Sequence, residues 1–169
     1  MPTSTIPALV ATELQRQFNY EFAAAHAYKA LSIWCEVRNL DGFAAFFEKQ
    51  AGEEHAHAEK MMEHLIDRGV SPVLVAVPQP RQAFESLAQV AECALSMEQA
   101  NTKGINAVYE AALASKDYPA QVLMHWFINE QVEEEAWGAE MIERIATATC
   151  AGSMAELDRH IVRYLTEGE

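Results

Sequence analysis

Four helical stretches of this chain each carry a glutamate on the face that their apolar spacing turns inward. The glutamates are Glu21, Glu54, Glu98 and Glu134, and His57 follows Glu54 by one helical turn. An ionised carboxylate left alone in an apolar interior is prohibitively costly, so it takes up a proton, pairs with a base or binds a metal ion. Few basic residues share these faces. The sequence therefore favours four helices packed around a metal site.

Proline and glycine residues divide the chain into five predicted helices within one domain of residues 1–169. In the first four, apolar residues recur at alternating spacings of four and three, as in the helices of a bundle. The predicted helices cover residues 7–39, 42–69, 86–115, 119–148 and 153–166. The predicted caps are Asp41 for the second helix, a Ser86–Gln89 capping box for the third, and a Ser153–Glu156 box for the fifth.

Residues 70–85 cannot continue a helix because they contain Pro72, Pro78 and Pro80 beside a β-branched run. A connection of about 15 residues is long for a turn between antiparallel neighbours, but it can run the length of a bundle. The sequence thus predicts an all-α four-helix bundle with a long crossover between the second and third helices and a short fifth helix.

The acidic composition limits the partners that the chain can have. Its net charge is -13, from 25 acidic against 12 basic residues, which repels nucleic acid and anionic lipid and favours cations. No run of about 18 apolar residues could span a membrane, and the N-terminus lacks a signal-peptide pattern. The three cysteines form no Cys-x-x-Cys. We therefore expect a cytoplasmic protein that binds neither nucleic acid nor membrane.

Several segments together resemble the ferritin family, in particular the bacterial non-haem ferritins. They are residues 19–21 (NYE), 51–57 (AGEEHAH), 117–119 (DYP) and 129–135 (NEQVEEE), and the resemblance extends along the whole chain. It implies a ferritin-like bundle that acts as a ferroxidase and an iron store. Such a protein oxidises Fe(II) with O2 or H2O2 and keeps the Fe(III) mineral inside a homo-oligomeric cage of 24 subunits.

The resemblance also implies the iron ligands. The first site of a di-iron centre would use Glu21, Glu54 and His57, and the second would use Glu54, Glu98 and Glu134 with Gln131 beside it. A third, inner iron site would use Glu53, Glu130, Glu133 and Glu134. Tyr28 would stand beside the di-iron centre as an electron donor, and Trp126 could act likewise. For both rings, simple packing remains the alternative.

Some positions depart from the pattern of related proteins. Gln131-x-x-Glu134 replaces a second Glu-x-x-His, which should hold the second metal more weakly and suits iron in transit better than a permanent cofactor. His55 stands where bacterioferritins have their haem-ligating Met, so we expect no haem. Gln121 and Met124 match the acid-lined three-fold channel of animal ferritins, and these neutral residues disfavour that iron entry route.

Other classes of protein remain possible at this point. A di-metal oxidase or a rubrerythrin-like peroxidase would use the same acids without storing mineral, although the missing Cys-x-x-Cys argues against rubrerythrin. A structural bundle would leave the inward acids unexplained, and the miniature ferritins lack a fifth helix of this kind. The sequence does not distinguish the oxidant, the routes of iron, the redox partners, or storage from protection against peroxide.

Overall fold

The computed structural model describes residues 6–166, which form five α-helices and their connections without a β-strand. The predicted all-α fold is thereby confirmed, while the ends of the predicted domain, residues 1–5 and 167–169, lie outside the described residues. Within this range no helix has the length and apolar character that crossing a bilayer requires. The helices are α1 (Ala8–Glu36), α2 (Asp41–Asp67), α3 (Leu87–Ala114), α4 (Tyr118–Thr147) and α5 (Ala151–Thr166).

The predicted crossover is confirmed as an extended segment that runs from α2 to α3 along the surface of α1. Side chains of α1 satisfy its backbone: the Val73 N–H donates to Gln15 Oε1 at 3.1 Å, and the Val75 N–H donates to Asn19 Oδ1 at 3.0 Å. The Asn19 amide also donates to the Val73 carbonyl at 3.0 Å. Short loops join α1 to α2 and α3 to α4, so each of these pairs is an antiparallel hairpin.

Two of the predicted helix ends are wrong. Leu40, not Asp41, is the N-cap of α2, and Asp41 is the first helical residue. α5 begins earlier than predicted because Cys150 caps it. The Cys150 Sγ accepts the Ser153 N–H at 3.4 Å, and the Ser153 Oγ accepts the Cys150 N–H at 3.1 Å. Ser153 therefore takes the third helical position of a capping box instead of opening one with Glu156.

The predicted ends at Ser86 and Gly69 are confirmed. The Ser86 Oγ accepts the Gln89 N–H at 3.3 Å, although the Gln89 side chain returns its bond to the N–H of Glu85 and not to that of Ser86. Gly69 has a φ of 79°, the left-handed conformation that commonly ends a helix.

Two apolar clusters fill the bundle, one on each side of a buried polar layer at its middle. The α5-side cluster also includes Leu157 and Ile161 of α5. The alternating four-and-three spacing also predicts Ala25 and His64 on the inward faces of the first two helices. Both are only half-buried, and Leu65 is buried in place of His64. The larger members of the α5-side cluster are Tyr28, Phe43, Phe46, Phe47, Trp137 and Met141. Those of the opposite cluster are Leu14, Phe18, Met61, Leu65, Met124 and Phe127.

The structure overturns one expectation about iron entry. Met124 is fully buried in the opposite cluster, so it cannot line a channel between subunits. Gln121 is half-buried, and its amide donates to the carbonyl of Ala112 at 3.2 Å. The neutral side chain at 124 is therefore a core residue, and its apolar character carries no information about how iron enters.

We expect Gly42→Ala to destabilise the docking of α5 on α2. A Cβ on Gly42 would lie 1.7 Å from the Asp158 carbonyl oxygen, while the Asp158 side chain accepts the Phe43 N–H at 3.0 Å. Because backbone must move, the loss should be about 1–3 kcal/mol, or several degrees of Tm at this chain length. Thermal unfolding by circular dichroism and proteolysis of α5 would measure it.

Gly152→Ala, in the first turn of α5, is the matched control, because the nearest atom to its Cβ position is the Cys150 Sγ at 4.0 Å, an ordinary contact distance. This variant should gain roughly 0.5–1 kcal/mol from helix propensity. Equal Tm values for the two variants, with α5 equally protected from protease, would contradict the assigned contact.

Candidate metal centre

The polar layer consists of side chains that α1, α2, α3 and α4 each contribute near their middles. The inward spacing that predicted the acids is seen directly, because Glu21 and Glu54 are 0% exposed and Glu134, the most accessible of the four, is 7% exposed. The buried members of the layer are Gln17, Glu21, Gln50, Glu54, His57, Glu98, Asn101, Gln131 and Glu134.

Ligand atoms in this layer form two close groups that share one residue. Glu21, Glu54 and His57 each offer an atom within 4.8 Å of the others, and Glu54, Glu98 and Glu134 do the same. Within the first group, His57 Nδ1 lies 3.6 Å from Glu54 Oε2. The arrangement has the form of two adjacent metal positions with the Glu54 carboxylate between them.

Several atoms at the centre of this layer have no hydrogen-bond partner. They are both carboxylate oxygens of Glu54, Nδ1 of His57 and Oε1 of Gln131. No N–H, hydroxyl or carbonyl group in the described part of the chain pairs with them, and Glu21 can share a proton with Glu54 only while one of the two carboxyl groups is un-ionised. Buried polar atoms are nearly always paired, so convergence of unpaired ones in one layer needs a cause. Divalent cations would satisfy all of them, and oxygen ligands with one imidazole suit iron or manganese.

The carboxyl groups resist ionisation in the absence of a cation. Burial is the main cause, and it raises the pKa of Glu21 and Glu54 well above their ordinary values. The Glu54 charge adds to the effect on Glu21, while the charges of Glu98 and Glu134 add to the effect on Glu54 and a hydrogen bond with Glu21 opposes it. Burial and the charge of Glu98 raise the pKa of Glu134 to about 9. Burial likewise raises the pKa of Glu98. Because bound metal requires ionised ligands, metal binding must displace protons from this layer.

Two amide side chains fix the orientation of Glu21. Gln17 Nε2 donates to Glu21 Oε1 at 3.0 Å, and Asn101 Nδ2 donates to Glu21 Oε2 at 3.1 Å. Gln17 also donates to Asn101 Oδ1 at 2.6 Å, which closes a ring of three side chains. Sequence reasoning missed both amides. Gln17 lies four residues before Glu21, so helical spacing alone could have placed it on the same face.

Glu98 and Glu134 are held by donors from other helices and from the next turn. The Tyr28 hydroxyl donates to Glu98 Oε1, and Gln131 Nε2 donates to Glu98 Oε2 at 3.1 Å. Trp137 Nε1 donates to Glu134. Burial and the Glu98 charge together raise the pKa of Tyr28 well above its ordinary value. Tyr28 is thus a protonated phenol in contact with one of the candidate ligands.

The acids expected at a third iron site are more loosely arranged. Glu53 accepts from Gln50 Nε2 at 2.6 Å and is partly exposed, Glu130 is half-buried and Glu133 is exposed. Among residues 6–166 they form no group with Glu134 as close as the two described above. The charges of Glu53 and Glu130 nevertheless contribute to the raised pKa of Glu134, so both lie near it.

His55 and Trp126 lie at the margins of the site. The His55 side chain is 57% exposed and pairs with Glu59 at 3.4 Å, outside the polar layer. The Trp126 ring lies 5.4 Å from that of His57, and the Lys60 ammonium sits 3.9 Å from the Trp126 ring centre. Trp126 is also 36% exposed, so it links the layer to the surface.

Comparison with known proteins identifies a matching family and several relatives of this chain. The family model described as "Ferritin-like domain" matches residues 11–148. The bacterial non-heme ferritin of Staphylococcus saprophyticus is 39% identical over 123 residues, which cover 73% of this chain and 74% of that protein. The bacterial non-heme ferritin of Staphylococcus aureus strain MRSA252 is 40% identical over 123 residues, with the same coverage of 73% and 74%.

Solved structures also resemble this fold over nearly its full length. The open pore ferritin of the hyperthermophilic archaeon Archaeoglobus fulgidus superposes with a TM-score of 0.89 at 28% identity, over 93% of this chain and 98% of that one. Its engineered closed form superposes with a TM-score of 0.90 at 29% identity, over 93% of this chain and 96% of that one.

Proposed function

Because this chain belongs to the ferritin family, we propose that it stores iron and that the buried polar layer is its ferroxidase centre. Fe(II) is the substrate: it binds in the layer, is oxidised by O2 or H2O2, and leaves as Fe(III) for a stored mineral. The observation that carries this proposal is the convergence of unpaired buried atoms from Glu54, His57 and Gln131.

Each iron position has its own proposed ligand set. The first Fe(II) would bind Glu21, Glu54 and His57, and the second would bind Glu54, Glu98, Glu134 and Gln131, with Glu54 bridging. The distances within the two groups support this assignment. The third position would use Glu53, Glu130, Glu133 and Glu134, whose looser arrangement suits an ion on its way inward.

The difference between the two positions suits a substrate better than a permanent cofactor. The first position has an imidazole, whereas the second has a neutral amide in that role, and an amide oxygen is a weaker donor than a carboxylate or an imidazole. The second iron should therefore be released more readily. Gln131 thus favours turnover of iron over retention.

The reaction moves electrons from two iron ions to one oxidant. Each Fe(II) loses one electron, and O2 takes up both together with two protons to give H2O2; with H2O2 as the oxidant, the same two electrons and two protons give water. The raised carboxyl pKa values mean that protons leave the layer when iron enters. In a centre that holds a single Fe(II), Tyr28, whose hydroxyl donates to Glu98, would supply the second electron together with its phenol proton.

An exposed apolar surface supports assembly into a cage. On the crossover segment, Val73, Leu74, Val75 and Val77 are 46–67% exposed. Leu74, Val75 and Val77, together with neighbouring residues of α1 and α2, border a groove of about 910 Å³. Exposed apolar patches commonly mark protein–protein contacts. We propose that a second copy of the chain covers this surface and that such pairs build a homo-oligomeric cage of 24 subunits in the cytoplasm.

Iron loading and particle size together test the proposal. Apoprotein mixed with excess Fe(II) in air should oxidise it rapidly and keep many iron ions per subunit in solution, because a mineral is being deposited. Light scattering should show a particle far larger than a monomer or dimer. Oxidation that stops at two irons per subunit would instead favour the second candidate, a di-metal oxidase that uses the same carboxylates without storage.

A further inference from the structure

A chain of hydrogen bonds connects the amide of Gln131 to the half-buried carboxylate of Glu135. Gln131 Nε2 has three acceptors around it: Glu98 Oε2 at 3.1 Å, the Glu98 carbonyl at 3.3 Å and Thr102 Oγ1 at 3.3 Å. Thr102 Oγ1 in turn donates to Glu135 Oε1 at 2.5 Å. Glu135 is half-buried and directly follows the inward-facing Glu134 of α4.

The direction of these bonds follows from the number of hydrogens available. A hydroxyl has one hydrogen, and Thr102 gives it to Glu135, so only its lone pairs face Gln131. With Glu98 ionised, as metal binding requires, an amide oxygen turned toward Thr102 and Glu98 would meet acceptors on every side. The amide must therefore present its N–H groups there, which leaves Oε1 on the other side, buried and without a donor.

We propose that Glu135, acting through the Thr102 hydroxyl, is a positioning residue that fixes the orientation of the Gln131 amide and keeps its Oε1 available as a metal ligand beside Glu98. Without the Glu135 carboxylate, the Thr102 hydrogen could turn toward Gln131 and satisfy Oε1 in the reversed orientation. The amide would then offer N–H groups, which cannot bind a cation. This inference rests on the proposed ferroxidase centre.

Anaerobic titration of the metal-free protein with Co(II), followed by its visible absorption, tests the inference without relying on catalysis. Wild-type protein should bind two Co(II) per subunit at the two close groups of ligands, with any ion at the looser third position bound more weakly. Thr102→Val keeps the shape of the side chain but removes the hydroxyl, and it should weaken one of the two sites by about 10–100-fold, as loss of a supporting hydrogen bond commonly does. The other site should be unchanged. Glu135→Ala should act in the same direction.

Two further variants separate positioning from a general structural effect. Thr102→Ser retains the hydroxyl and should restore the second site. In a Gln131→Glu background, Thr102→Val should have no further effect, because a carboxylate presents an oxygen in either orientation. Persistent weakening in that background, or failure of Thr102→Ser to restore binding, would overturn the inference.

The wild-type result distinguishes failure of this inference from failure of the proposed function. Wild-type protein that binds no pair of Co(II) ions would defeat the proposed centre, and this inference with it. Two Co(II) sites that Thr102→Val leaves at wild-type affinity would overturn the positioning role alone. Weakening by Thr102→Val but not by Glu135→Ala would remove Glu135 from the proposal, which would then be wrong as stated.

Discussion

Replacing Glu54 by alanine should abolish the rapid phase of Fe(II) oxidation. Glu54 belongs to both close groups of ligand atoms, so its loss affects both proposed iron positions. Changes to residues that only support a metal ligand already cost about 10–100-fold, so loss of the shared ligand should slow oxidation by at least about 100-fold. Stopped-flow absorbance of Fe(III) at two irons per subunit would measure the rate.

Glu59→Ala is the matched control, because Glu59 lies on the same helix and its side chain is 57% exposed. It should oxidise iron at the wild-type rate. The Glu54→Ala protein should remain folded, since the substitution removes a buried carboxyl group and no member of the two apolar clusters. A rate within a factor of about two of wild type would show that oxidation occurs elsewhere, and the ligand assignment would have to be abandoned.

The metal-free protein should lose thermal stability as the pH rises. The folded protein holds protons on Glu54 and Glu134 that the unfolded chain has released above an ordinary carboxyl pKa of 4.5. This contribution to the free energy of unfolding is therefore fully present below pH 4.5. It is lost as the pH rises toward about 9, the pKa of Glu134 in the folded protein. Each retained proton changes the free energy of unfolding by about 1.4 kcal/mol per pH unit.

Melting curves between about pH 5.5 and about pH 8.5 would reveal this loss, on the order of 10 °C for one retained proton at this chain length. Saturating Co(II) should raise Tm and remove most of the slope, since the cation replaces the protons. A variant with Glu54→Gln and Glu134→Gln should also show a shallower slope without metal. If Tm of the metal-free protein stays level or climbs over this range, the layer is not protonated as described.

The acids of the site could be predicted because a charged residue on an apolar stripe is conspicuous. Glu21 and Glu54 interrupt regular spacings of buried side chains, and the structure brings them within ligand distance of each other. The pairing of Gln17 with Asn101 could not be predicted in this way. It depends on how α1 is rotated about its axis and shifted along it relative to α3. The sequence of either helix alone does not determine this relative placement.

Other differences between the predictions and the structure arise where a general sequence rule does not apply to a particular residue. Cys150 caps α5 although cysteine is not among the preferred N-cap residues, so the serine three positions later was a more obvious choice. Glu135 belongs to a run of acids that normally marks a solvated face. The resemblance matches Met124 to a channel position, but a match in sequence does not establish where the side chain points. In the structure this side chain lies in the core.

The division of the bundle into two hairpins has a consequence for how the protein matures. The hairpin of α1 and α2 holds Glu21, Glu54 and His57, while Glu98 and Glu134 belong to the hairpin of α3 and α4. Local hairpins form early, whereas contacts across a long crossover form late. A nascent chain therefore lacks a complete binding pair until its last long helix has emerged and docked. On the proposed ligand assignment, both iron positions are therefore available together only in a subunit that has finished folding.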